Sequence, residues 1–129
     1  ILYCLKLKYY KGDAKKAYNA NKLEKNNFNE LKIDKNSIII DCLFGIGLNR
    51  KIKGIYKNII KQINTSNLKV ISIDIPSGIN GNSGKIMGIA VKANRTIVLH
   101  AKKNGHVKNP GKSYSGRMNI IDIGIKTKE

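Results

Sequence analysis

Short apolar runs alternate along this chain with segments in which apolar residues recur at helical spacing. The short runs are rich in β-branched residues and are bounded by Gly, Pro, Asn or Lys, which is the pattern of strands buried in a sheet. The predicted strands span residues 1–7, 38–44, 69–74, 95–99 and 118–123.

Two segments between these strands have the pattern of amphipathic helices. Five isoleucines recur at helical spacing after the second strand and predict a helix over about residues 53–65. After the first strand, Asp13 is placed to cap a helix from Ala14 to about Asn26. Alternating strands and helices predict a mostly parallel sheet with helices on both faces, a three-layer Rossmann-like α/β sandwich.

The second and third strands each carry an acidic residue next to a turn. Asp41 lies in a β-branched run that leads into a glycine loop, and Asp74 ends its strand before Pro76, Ser77 and Gly78. A right-handed crossover brings both strand ends to one edge of the sheet, where open α/β sheets bind ligands. We therefore expect the two acids to belong to one site.

Each acid has two interpretations. A charge inside a β-branched strand costs several kcal/mol unless it is paired, so Asp41 either accepts hydrogen bonds from loop amides or, with Ser77, binds a hard cation. Asp74 is either a turn residue or a group that transfers a proton to a ligand. The glycine loop also has two interpretations. Gly45 and Gly47 form a plain tight turn or let backbone amides approach a ligand closely.

Composition narrows the class of protein. The 129 residues fit one domain, and no apolar run approaches the length of a membrane span, so we expect a cytoplasmic protein. The net charge of +17 comes almost entirely from scattered lysines without interleaved aromatic residues, which argues against a nucleic-acid binder. His100 and His106 lack a metal-ligand pattern and are expected at the surface or at a strand edge.

Two segments together closely resemble the NAD(P)H-hydrate epimerase family, the YjeF amino-terminal domain. They are residues 41–48, DCLFGIGL, and residues 73–84, IDIPSGINGNSG. Residues 90–96, Lys103 with Gly105, and residues 122–125 are also similar to family segments. The resemblance implies an enzyme that interconverts the R and S forms of hydrated NADH and NADPH, called NADHX and NADPHX, in cofactor repair.

The resemblance also implies roles for individual residues. Asp41 and Ser77 would bind a potassium ion, and Asp74 would contact the substrate and act in acid–base chemistry at its C6 atom. A dehydratase, fused or separate, would be a partner. For the oligomeric state, a homodimer is one of the alternatives. The alternative is a nucleotide- or RNA-binding module without turnover. The other substrate-binding residues would be Gly45, Ile46, Gly47, Leu48, Asn49, Arg50 and Lys51.

One family feature has no match in this sequence. The family carries an Asn-Asn-Gly-Gly-Asp-type loop after its first strand, and no segment here resembles it. The resemblance therefore implies that residues 1–129 form a partial domain, incomplete at its amino terminus. We expect the apolar surface near residues 38–40 and 71–73 to be poorly covered as a result.

Overall fold

The computed structural model describes residues 2–4, 10–28 and 31–125, and the chain forms two compact units, Ile1–Ile33 and Asp34–Glu129. The first unit contains β1 (Leu2–Cys4), α1 (Gly12–Ala20) and β2 (Lys25–Asn27). The second contains β3 (Ile38–Asp41), α2 (Gly54–Thr65), β4 (Lys69–Ile73), β5 (Arg95–Leu99), α3 (Asn104–Val107), α4 (Gly111–Tyr114) and β6 (Arg117–Ile121).

In the first unit, β1 and β2 pair in parallel. Strand β1 confirms the first predicted strand over residues 2–4, and the rest of that prediction lies outside the described residues. The prediction that the helix reaches Asn26 is wrong, because Asn21 leaves the helix in an extended conformation. The Asn21 side chain accepts a 2.8 Å hydrogen bond from Leu23 N, a local bond that competes with helix continuation. Asp13 lies in the first turn and does not cap the helix.

The second unit is built on a four-stranded sheet in the order β3-β4-β5-β6, and every neighbouring pair is parallel. This confirms the predicted parallel α/β sheet. Helix α2 forms as its isoleucine spacing predicts and buries Ile59, Ile60 and Ile63. Strand β3 ends at Asp41, three residues before the predicted end, because the chain turns at once into the glycine loop. No described helix has the length and apolar character of a membrane span.

The two faces of the sheet differ in burial. The register places Asp41 beside Ser72 and Ser72 beside Thr96, and all three side chains are buried. On the alternate positions of β3, Ile38 and Ile40 are 59% and 55% exposed. This exposure confirms the expected apolar surface near residues 38–40. At residues 71–73 the expectation is not confirmed, because Ser72 is buried and Ile71 and Ile73 are half-buried.

Glycines allow close backbone packing beyond the carboxyl ends of the strands. Gly78 has a φ of 99°, and a Cβ atom there would collide with the carbonyl oxygen of Ile89. A Cβ atom at Gly105 would lie 2.6 Å from the carbonyl oxygen of Asn80. The segment between β5 and β6, predicted as a loop, contains the short helices α3 and α4. Helix α3 is thereby held against the loop that follows β4.

Candidate active site at the carboxyl ends of strands β3 and β4

The Asp41 carboxylate is buried and accepts four hydrogen bonds from the protein. Its Oδ1 accepts from the Ser77 hydroxyl at 2.6 Å and from Leu43 N at 3.3 Å. Its Oδ2 accepts from the Ser72 hydroxyl at 2.8 Å and from Ser77 N at 2.9 Å. Asp41 is only 2% exposed, and these bonds offset the cost of burying its charge.

Ser77 connects this acid to the glycine loop. Its hydroxyl oxygen accepts a 2.9 Å bond from Phe44 N and lies 3.3 Å from the Phe44 carbonyl oxygen. The Ser77 hydroxyl oxygen therefore lies within hydrogen-bonding distance of the Asp41 carboxylate and the Phe44 carbonyl oxygen. Oxygen donors suit a hard cation, so by donor type these residues fit potassium. The described residues contain no group of three or more His, Cys, Asp or Glu side chains that could hold a metal ion.

Asp74 follows β4 directly and adopts a left-handed backbone conformation with a φ of 68°. Its backbone N donates to Ile97 O at 2.7 Å, which anchors the turn to β5. Both protein donors to its carboxylate, Leu99 N at 3.2 Å and Lys103 Nζ, bind the same oxygen, Oδ1.

The second oxygen of Asp74 is accessible. No protein donor within the described residues binds Oδ2, and no buried side-chain oxygen or nitrogen among those residues lacks a partner. Oδ2 must therefore reach the surface of the site. A carboxylate oxygen that reaches the surface in this way is able to exchange a proton with a ligand.

Lys103 provides the positive charge of the site. Its ammonium group pairs with Asp74 Oδ1 and donates to Leu99 O at 2.9 Å. An ammonium group has three hydrogens, so one donor is left for a ligand. The Asp74 and Lys103 side chains are 19% and 22% exposed, so the pair is mostly shielded from water yet reachable. The sequence suggested Lys103 only through the family resemblance and assigned it no role.

His106 is the residue that sequence reasoning placed wrongly. It is fully buried, not at the surface or a strand edge, and its ring contacts both Asp74 and Lys103. Burial is the main cause that lowers the pKa of His106. The signal in the sequence is Gly105, because that glycine permits the close packing of α3 that buries the next residue.

The glycine loop is open on the side where ligands bind in α/β sheets. Gly45, Gly47, Asn49, Arg50 and Lys51 are exposed. Neither glycine has a positive φ, and a Cβ atom at either would have no atom of the described residues beyond its chain neighbours within 4 Å. The fold itself does not require glycine at these positions, and the absence of side chains leaves room for a ligand to approach the backbone.

The far end of this loop leads into a basic cavity. The Leu48 side chain is buried, and its carbonyl accepts a 3.1 Å bond from the Asn80 side chain, a tie that the sequence did not indicate. A cavity of about 400 Å³ lies at the start of α2. Lysines supply its charge, and its lining residues are Lys51, Ile52, Lys53, Gly54, Lys57 and Gly88.

Comparisons with known proteins give a family match and several similar proteins. The sequence model described as "YjeF-related protein N-terminus" matches residues 4–105. An NAD(P)H-hydrate epimerase of Limosilactobacillus fermentum is 44% identical over 85 residues, which are 66% of this chain and 41% of the relative. One of Limosilactobacillus reuteri is 42% identical over 93 residues, 71% of this chain and 44% of the relative.

A longer relative is named as bifunctional. The "Bifunctional NAD(P)H-hydrate repair enzyme Nnr" of Thermofilum pendens is 39% identical over 86 residues, which cover 67% of this chain but 16% of that protein. The chain thus spans less than half the length of these three curated relatives. Because the family model matches most of the chain, including the strand ends that carry Asp41 and Asp74, the chain belongs to the family of YjeF-related protein amino-terminal domains.

Proposed function

We propose that the protein containing this chain is an NAD(P)H-hydrate epimerase that interconverts the R and S forms of NADHX and NADPHX. The observation that carries the proposal is the Asp74–Lys103 pair at the end of β4. It combines a carboxylate with one accessible oxygen and an ammonium group with one spare donor. The relatives that carry the epimerase name support it.

The pair supplies what epimerisation at C6 requires. In the hydrated cofactor, C6 carries a hydroxyl group and is bonded to the ring nitrogen. When the C6–O bond breaks, the departing oxygen takes a proton and leaves as water, and the nitrogen lone pair forms a planar iminium at C6. Water then adds to the other face of C6 and loses one proton. Lys103 gives the first proton and Asp74 Oδ2 takes the second; return of that proton from Asp74 to Lys103 within the pair restores both groups and balances the cycle.

The glycine loop and the basic cavity would hold the rest of the substrate. Residues 45–51 lie at the carboxyl end of β3, and the exposed Arg50 and Lys51 are available for a diphosphate. Lys53 and Lys57, at the start of α2, add charge where a helix amino terminus also favours anions. The substrate would therefore lie with its nicotinamide at Asp74 and its phosphates towards α2.

Potassium is a further part of the proposal. Asp41 and Ser77 would hold the ion, with the Phe44 carbonyl nearby as a third oxygen. When bound, the ion would supply positive charge beside the negatively charged substrate. The four hydrogen bonds to Asp41 already stabilise its buried charge, so the ion is proposed as an aid to substrate binding and takes no step in the chemistry.

The test uses the full-length protein and separated R and S forms of NADHX and NADPHX. Each form, incubated with the protein in potassium buffer, should approach the same R:S mixture far faster than without protein, as followed by chromatography. Asp74→Asn is the matched inactive control. Binding of either hydrate without any gain in rate would favour a nucleotide-binding module. Salt-sensitive binding of RNA without turnover would favour the RNA-binding alternative.

The proposed partner can be tested in the same assay. A dehydratase acting on one of the two forms would consume only part of a mixed hydrate sample. Addition of this protein should allow it to consume the whole sample, because the unreactive form is converted continuously. Such a dehydratase would be a separate protein or part of the same polypeptide, as the bifunctional name of the Thermofilum relative suggests.

A further inference from the structure

His106 links the two backbone segments that carry the Asp74–Lys103 pair. Its Nδ1 lies 2.9 Å from Lys103 N, and its Nε2 lies 2.7 Å from Asp74 O. A backbone N–H can only donate and a carbonyl oxygen can only accept, so Nδ1 accepts and Nε2 donates. The ring is therefore the neutral tautomer with its hydrogen on Nε2.

Helix capping explains only one of these two bonds. His106 is the third residue of α3, and its bond to Lys103 N is the one that a polar side chain at this position makes in a capping box. The bond to Asp74 O spans 32 residues of sequence and does nothing for the helix. It reaches the residue with a left-handed backbone conformation, which needs support from its surroundings.

The surroundings of His106 leave it little freedom. Gly105 N donates to Gly81 O at 2.7 Å, and a Cβ atom at Gly111 would collide with Gly105 O. The ring is fully buried between these close-packed segments. Movement of the ring would therefore move Asp74, Lys103 or both.

We propose that His106 is a positioning residue, whose imidazole holds the Asp74 and Lys103 backbones at the separation at which their side chains pair. The inference rests on the proposed function, because that function gives the pair its chemistry. His106 itself contacts neither substrate nor reacting atoms. Small displacements of a catalytic group are costly, about 10²-fold in rate for about 1 Å, so the hydrogen bonds of this ring should be visible in kcat.

Three substitutions in the full-length protein separate positioning from space filling. Gln can accept from Lys103 N and donate to Asp74 O, as the histidine does. Asn keeps the polar amide but is one methylene shorter and cannot span both partners. Leu fills space without either bond. His100→Asn is the matched control, because His100 is half-buried, lies 3.9 Å from Asp122 and is not part of the pair.

The expected pattern is rescue by Gln. His106→Gln should keep kcat within about threefold of the wild type, while His106→Asn and His106→Leu should lose about 10- to 100-fold, mainly in kcat and not in KM. His100→Asn should match the wild type. Equal losses in the Gln and Leu variants, or full kcat in the Leu variant, would overturn the proposal.

A second measurement does not depend on turnover. Leu99 N–H donates to Asp74 Oδ1 at 3.2 Å, so its hydrogen exchange reports where the carboxylate lies. Exchange at Leu99 should be about tenfold faster in His106→Leu and His106→Asn than in the wild type and His106→Gln, with the β4 amides as reference. Unchanged exchange would overturn the inference. If the wild type does not epimerise the hydrates, the proposed function fails, and this exchange pattern alone decides whether His106 positions Asp74.

Discussion

Asp41 and Asp74 lie at the ends of adjacent strands, yet the protein treats their carboxylates in opposite ways. Asp41 is 2% exposed and receives four hydrogen bonds, two on each oxygen. The Asp74 side chain is 19% exposed, and both of its protein donors bind one oxygen. Hydrogen bonds to Asp41 therefore connect several protein segments, whereas Asp74 keeps one carboxylate oxygen at the surface.

The difference follows from the backbone at each strand end. Asp41 is still in the ladder of β3, so its side chain lies on a sheet face beside Ser72 and below the turn that contains Ser77. Asp74 is past the ladder, and its left-handed conformation turns the chain at that residue. A residue inside the ladder is surrounded by protein donors, whereas a residue just beyond it is free to meet a ligand. The comparison thus predicts mainly structural consequences for changes at Asp41 and mainly chemical ones at Asp74.

Asp74→Asn should have the largest effect. Loss of the carboxylate removes proton transfer at Oδ2, and epimerisation should fall by about 10²- to 10⁴-fold. Stability should hardly change, because Asn tolerates a left-handed backbone as well as Asp does. Initial rates with purified R and S hydrates and a thermal melt measure the two effects.

The same substitution at Asp122 is the control for this prediction. Asp122 is exposed and accepts a local 2.9 Å bond from Gly124 N. Asp122→Asn should keep wild-type rates. Near-normal turnover in Asp74→Asn would show that Asp74 does not transfer the proton. Neither Asp41 nor Asp74 would then have a chemical role.

Asp41→Asn should give the reverse result, a loss of stability. Either orientation of the new amide places its NH₂ group against a backbone N–H, that of Leu43 or that of Ser77, because each carboxylate oxygen now accepts from one of them. A buried donor left without an acceptor costs about 1–3 kcal/mol in the free energy of unfolding. Urea unfolding of Asp41→Asn beside Asp74→Asn measures it, and equal stabilities would contradict the structural role of Asp41.

The sheet and the two acids could be predicted because their signals are local. β-Branched runs gave β3, β4 and β5, isoleucine spacing gave α2, and the turn after each strand marked Asp41 and Asp74. The end of α1 was missed because a single Asn21 side-chain bond ended the helix. The helices α3 and α4 were missed because each has four residues, too few for a periodic pattern.

The contacts of the site could not be predicted from these signals. Which oxygen of Asp74 accepts from Lys103, and that His106 is buried, depend on packing between segments about 30 residues apart. The sequence named the two glycines of the 45–51 loop and left open whether they form a turn or a ligand site. In the structure the space around both glycines is open, and neither has a positive φ.

Exchange of potassium for a large organic cation tests whether Asp41 binds an ion in addition to its structural role. If Asp41 and Ser77 share potassium, the ion should raise the free energy of unfolding of the wild type by about 1 kcal/mol when its concentration is about five times its dissociation constant. The gain should persist in Asp74→Asn and shrink in Asp41→Asn. Thermal melts at constant ionic strength measure it. Equal ion sensitivity in all three proteins would leave Asp41 with its structural role alone.

The smallest effect concerns the pH dependence of stability and comes from the buried histidine behind Asp74. Burial lowers the pKa of His106 below its ordinary value of 6.5 in the folded protein, so the unfolded chain binds its proton first as the pH falls. The contribution of His106 to the free energy of unfolding is therefore fully present above about pH 6.5. It decreases as the pH falls from there towards the lowered pKa. Asp74, Lys103 and Lys102 are the charged groups that act on the ring.

His106→Gln removes the titrating group and keeps both of its hydrogen-bonding capacities. Between about pH 7 and pH 5, the melting temperature of the wild type should therefore decrease more steeply than that of His106→Gln. His100→Asn is measured beside them as the matched control for the loss of a histidine. The comparison is made among proteins that all contain Asp41 and Asp74. Parallel slopes in wild type and His106→Gln would mean that the ring accepts a proton in the folded protein, and the neutral bridge between Asp74 and Lys103 would then be wrong.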